Sequence, residues 1–179
     1  MIKQFQEIKI LEKSVLQRVF FKPPLKGRQD MKNDACFIYS LEGAATIVTE
    51  NEQKQLQANQ GVLMQCGRYI NVWHLNEKAQ LNEVVLMHFY PEVLSYVYED
   101  NIPSFLTQDN TKSTSRLQII KYEKALENYV QGLRFYFDNP DLMDENLTKI
   151  KLKELIHLLY SCENYPVKIL LKDLFEKQK

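Results

Sequence analysis

The hydrophobic pattern changes period at Tyr90-Pro91, and no other feature constrains the fold as much. From about Ile8 to Tyr90 the chain is a series of short runs rich in Val, Ile, Phe, Tyr and Thr: Ser14–Lys22, Ala35–Leu41, Ala44–Thr49, Gly61–Cys66, Ile70–Leu75 and Leu81–Tyr90. Pro23-Pro24, Glu42-Gly43, Glu50-Asn51-Glu52, Asn59-Gln60-Gly61 and Asn76-Glu77 separate them, and these residue types suit tight loops. Many short strands with no helix among them predict a sandwich or barrel.

Beyond Tyr90 the repeat becomes helical. Pro91 opens a short helix over residues 91–99, with Val93, Leu94 and Val97 inward. Residues 101–115 form a polar crossing loop apart from Ile102, Phe105 and Leu106. Ile119, Tyr122, Leu126, Tyr129, Val130, Leu133 and Phe137 then recur at three- and four-residue steps. That predicts a long helix, stopped by Asp138-Asn139-Pro140. Phe135 lies on its otherwise polar side.

A second long helix is predicted from Asp144 to Cys162. Leu147, Leu152, Leu155, Ile156, Leu158 and Leu159 spread over about half its circumference, wider than the ~100° stripe that one partner surface requires. The expectation is that these six residues form a homodimer interface with the same helix of a second subunit. The alternative is that all of them pack within one subunit. A short amphipathic segment from Val167 to Phe175 follows. The chain thus divides into a β-barrel unit with the short helix, residues 1–106, and a helical dimerisation segment, residues 107–179.

Several chemistries find no support. Lys+Arg and Asp+Glu balance at 23 each, so no net field draws the chain to nucleic acid or anionic membrane. No apolar run approaches the roughly 18 residues of a membrane span. Cys36, Cys66 and Cys162 are widely spaced and read as reduced cysteines of a cytoplasmic protein, with a redox-sensing role for Cys36 or Cys66 as the alternative. His74, His88 and His157 form no His-x-His or His-Glu-x-x-His, so no metal site and no cofactor are expected. Neither a nucleophile elbow nor a glycine-rich phosphate loop is present. No catalytic residue can be assigned, and the chain does not read as an enzyme.

The stretch DACFIYSLEGAATIVTENEQKQLQANQGVLMQCGRYINVWHL resembles the sensor domain of AraC/XylS-type regulators. The following LNEVVLMHFYPEVLSYVYEDNIPSFL, and the helix pair ending KLKELIHLLYSCEN, are similar to the subgroup that contains type III secretion activators. The resemblance implies an α+β fold: a cupin-like double-stranded β-helix followed by two long helices and a short terminal one. Cupin metal motifs, laid on the chain by counting from Gly43, put the glutamate at Cys36 and the histidines near Asp30 and Lys32. In the second motif Gly67 matches the loop glycine. The histidine falls on Ile70, the first glycine on Asn59 and the proline on Gln65. Every metal-ligand position is replaced.

Strand alternation turns Cys36, Ile38, Ser40, Ile70, Val72 and His74 toward the barrel interior, as a small-molecule pocket or a filled core, with Phe37, Tyr39 and Trp73 facing away. The resemblance further implies a signal-sensing and dimerising regulatory domain. Its signal is a small-molecule effector or a regulatory protein, and DNA is bound through a helix-turn-helix half that the thirteen residues after Pro166 are too few to form. The chain would then be a fragment or, alternatively, a natural standalone sensor. The rival reading is a standalone small-molecule-binding cupin or cupin enzyme.

Overall fold

The structure is a computed structural model and describes residues 1–99, 101–107, 115–121, 123–162 and 165–176, without the side chains of 165, 166, 172, 174 and 176. Among these residues ten strands form two sheets. They are β1 (Ile2–Ile10), β2 (Lys13–Phe21), β3 (Leu25–Met31), β4 (Ala35–Glu42), β5 (Ala45–Val48), β6 (Gln53–Leu56), β7 (Gly61–Met64), β8 (Gly67–Trp73), β9 (Asn82–Phe89) and β10 (Leu117–Ile120). The larger sheet runs β1-β2-β9-β4-β7-β10 and the smaller β3-β8-β5-β6. Every pairing is antiparallel.

The larger sheet is apolar on both faces, so β4 reads as a continuous hydrophobic run, as sheets covered on both sides do. Cys36, Ile38, Val62, Met64 and Val84 point toward the smaller sheet. Phe37, Tyr39, Leu63, Val85 and Met87 point the other way, under the helices. The sheet is therefore the middle of three layers.

Four helices supply the third layer: α1 (Pro91–Tyr98), α2 (Lys124–Asp138), α3 (Glu145–Ser161) and α4 (Tyr165–Glu176). Pro91 stands in the first turn of α1, where its missing N–H costs no hydrogen bond. The Asp144 side chain caps α3, accepting from the Leu147 N–H at 2.7 Å. A single-turn 3-10 helix, Ser104–Leu106, leads away from α1 and buries Leu106.

Two expectations change. Ile119 is not the start of a helix: it sits in β10, opposite Val62 of β7, and α2 begins only at Lys124. A strand therefore returns to the β layer beyond the division expected at residue 106. Tyr122, expected on the inner face of that helix, and most of the 101–115 crossing loop lie outside the described residues.

Candidate functional site

Buried side chains of the protein itself pack between the two sheets, where the barrel interior was expected. Of the six residues expected there, Cys36 and Ile38 lie in the core between the sheets. Ser40 is fully buried, but its hydroxyl donates to the Gly43 carbonyl at 2.7 Å. The other three correct the reading of β8. Ile70 and Val72 are only half-buried on the outer face, and His74 is exposed, its Nε2 2.8 Å from the Thr46 hydroxyl. Tyr69, Asn71 and Trp73 take the inward positions instead. Apolar residues occupy both phases of this strand, so hydrophobicity alone does not choose the face; the larger rings fill the space. Trp73, expected to face away, meets Phe21 edge-on at 5.1 Å. The Tyr69 hydroxyl donates to the Gln65 carbonyl at 2.5 Å. Burial pushes the Cys36 thiol up to about 12, where it stays neutral.

Among the described residues no group of three or more His, Cys, Asp or Glu is placed to hold a metal ion. One cleft of the β layer opens at its rim, where Thr49, Glu50, Glu52, Arg68, Tyr69 and Arg116 line a space of about 570 Å³. Its charges are of both signs.

The second expected site is also redistributed. Leu152, Leu155, Ile156 and Leu159 are essentially inaccessible and belong to the single core that joins the helices to the larger sheet. Four of the six residues expected to form a dimer interface therefore pack inside one subunit, and only Leu147 and Leu158 are partly exposed. The wide apolar arc of α3 is explained by its own neighbours: it packs on α2, α4 and β1.

What α3 presents outward is a different set. Ile150 is 58% exposed. With Tyr98, Pro103, Phe105, Lys153 and Leu158 it lines an apolar groove of about 440 Å³ between α3 and the segment after α1. Phe105 is held by a 4.4 Å ring contact with Tyr160 and an edge contact with His157. The Lys153 ammonium lies 5.4 Å from the Tyr98 ring, a cation–π distance. Phe135 is a further exposed aromatic, on α2.

Sequence reasoning missed the charged joint between sheet and helices. Arg18 on β2 donates from Nε to Glu83 on β9 at 2.7 Å and from Nη1 to Asp138 at the end of α2, also at 2.7 Å. Arg134 on α2 grips the same Glu83 carboxylate with two bonds of 2.9 and 3.1 Å. The available signal was a lone charge in each of two otherwise apolar runs: Arg18 between Leu16 and Val19, and Glu83 before Val84-Val85.

No curated protein sequence matches the chain. Among solved structures, an apo form of a ToxT variant from Vibrio cholerae is similar over 89% of this chain and 59% of its own, at 11% identity and a TM-score of 0.57. ToxT from the same organism with unsaturated fatty acid bound is similar over 82% of this chain and 54% of its own, at 11% identity and a TM-score of 0.54. The chain thus spans less than two thirds of the ToxT structures, and at this identity the likeness is one of fold. The Schizosaccharomyces pombe Cnp3 cupin domain covers 54% of this chain and 72% of its own, at 11% identity and a TM-score of 0.43. The family model described as the ExsA N-terminal regulatory domain matches residues 35–166, which take in the body of both sheets and helices α1 to α3. The chain belongs to the ExsA N-terminal regulatory domain family, and is a regulatory domain of the AraC type.

Proposed function

We propose that this domain self-associates within an AraC-type transcription regulator, and that its signal arrives as a protein contact on the helical layer. The observation that carries this reading is the division between a filled interior and an open apolar groove. Large side chains occupy the space between the sheets, whereas the groove around Ile150 and Phe105 leaves apolar surface in water. A partner contacting α3 would act on the same core that fixes α2, and through Glu83 on the larger sheet. Self-association would set two DNA-binding domains at paired half-sites.

A direct test fuses the chain to a DNA-binding domain that recognises its operator only as a dimer. Repression of a reporter by the fusion is expected; failure to repress, with the fusion folded and expressed, contradicts self-association. A second reading is binding of a small amphiphile. ToxT is described with an unsaturated fatty acid bound, and the groove here has a lysine, Lys153, at its rim. A fatty acid copurifying with the chain, displaced by Ile150→Arg, would favour that reading.

A further inference from the structure

We propose that β3 is a docking edge for an extended acidic segment of another protein, which adds to the smaller sheet as a further strand. This contact is separate from the one on the helical layer. β3 ends the smaller sheet, and its full length from Leu25 to Met31 pairs with β8 without a register shift. Among the described residues no strand pairs with its other edge, so N–H and C=O groups there are open to a second chain. The two sheets are also unequal. At one end β6 meets β10, where the Lys54 ammonium donates to the Leu117 carbonyl at 2.5 Å. With four strands set against six, the smaller sheet stops short of β1 at the other end. Phe5 of β1 shows the consequence. It stands across from Val19, which belongs to the core between the sheets, so its ring turns to that same side. Phe5 is nevertheless 48% exposed, because no described strand of the smaller sheet lies over it.

The side chains of β3 define what fits there. Lys26, Arg28 and Asp30 are exposed on its outer face, while Leu25, Gly27, Gln29 and Met31 alternate toward the larger sheet. The whole chain is neutral, but this edge is not. From Lys22 to Lys32 the exposed charges are Lys22, Lys26, Arg28 and Lys32 against Asp30 alone. Gly27 lies between two of those cations, and a Cβ built on it meets nothing within 4 Å. A glycine inside a strand often marks such a place of close approach. A neighbouring strand thus meets two positive charges on one face and, between them on the other, room for a large side chain. Opposite charges directly across a ladder are favourable and like charges are not. The complementary sequence is acidic–apolar–acidic. Its carboxylates face Lys26 and Arg28, and its apolar side chain enters beside Gly27, on the side where Phe5 is uncovered. Lysine and arginine on an edge discourage pairing with neutral or basic strands. The residues that protect this edge therefore also select an acidic partner.

A fluorescein-labelled synthetic peptide, with Glu-Phe-Glu at the centre of an otherwise Thr/Val strand, tests this when titrated onto the whole chain by fluorescence anisotropy. Saturable binding is expected, with amide hydrogen exchange slowed in β3 and unchanged in β6. Lys26→Glu/Arg28→Glu should weaken binding about tenfold or more, because both substitutions set like charges across the ladder. A peptide with Lys-Phe-Lys at its centre should bind that double variant within about threefold of the original pair. Phe5→Ser should weaken the Glu-Phe-Glu peptide several-fold. All three substituted positions are exposed, so circular dichroism should show an unchanged fold. A peptide that fails to bind, or that binds the charge-reversed variant as well as the wild type, overturns the assignment. So does slowed exchange in β3 that grows with protein concentration in the absence of peptide, which would make a second copy the occupant of the edge.

Discussion

Arg18 reaches Glu83 across the β2–β9 seam at 2.7 Å, with both side chains more than nine-tenths buried. The same Glu83 carboxylate is held from the other side by Arg134 of α2, so one buried charge fastens the helical layer to the sheet. Removing one partner of a buried pair leaves the other desolvated and uncompensated, at a cost of about 3–5 kcal/mol. Glu83→Gln is expected to fall in that range in urea unfolding at pH 7. Arg134→Ala should lose less, because that side chain is about one third exposed and water replaces part of what it gives.

The two faces of α3 make opposite predictions. Leu155 and Leu159 are internal, so an aspartate at either position buries an unpaired charge in the core. Leu155→Asp or Leu159→Asp should abolish the cooperative thermal transition rather than yield a folded monomer. Ile150→Asp, on the outward face, should leave the transition within a few degrees of wild type. Retention of fold in the Leu155 variant would contradict this assignment of the helix faces.

Gly43 adopts φ of +99° at the end of β4, and a Cβ there would overlap the Asn82 side-chain amide. Backbone strain of this kind costs of order 1–3 kcal/mol. Gly43→Ala should therefore lower the melting temperature by several degrees, whereas Gly27→Ala, with open space around the added methyl, should not.

Stability should decline on the alkaline side. Burial raises the Cys36 thiol from its ordinary value near 9 to about 12, and raises the Tyr98 phenol to about 12. Burial also moves Cys162 and Tyr129 upward. The unfolded chain then ionises first as pH rises, binds fewer protons than the folded chain, and is favoured. These groups contribute their full stabilisation below pH 9 and lose it progressively toward pH 12. Urea midpoints measured from pH 7 to 11 should be flat at first and fall beyond pH 9. A midpoint rising over that interval would contradict the burial of these groups.

Most of the architecture was legible from hydrophobic period alone, and what was not has a common cause. The interior strands β2, β4, β7 and β9 carry dense apolar runs because both their faces are covered. The four strands at sheet ends do not: β3 reads Leu-Lys-Gly-Arg-Gln-Asp-Met and β6 Gln-Lys-Gln-Leu, polar along one face or nearly throughout. β1 is mostly exposed, and β10 was hidden because Ile119 happens to fit the helical spacing that follows. The site was less legible for a different reason. Period tells which residues are apolar but not which of two apolar faces turns inward, so Ile70 and Val72 were exchanged with Tyr69 and Trp73. The breadth of the leucine arc on α3 was real, but α2, α4 and β1 use it up. No periodicity argument reaches a pair such as Arg18 and Glu83, separated by 65 positions.

The most direct test of the whole account is native mass spectrometry of the purified chain. Twice the subunit mass, with no bound metal and no small molecule, is expected, since side chains fill the space between the sheets and the contacts are between proteins. A monomer that carries a metal ion or an organic ligand would contradict it and return the domain to the class of standalone ligand-binding cupins.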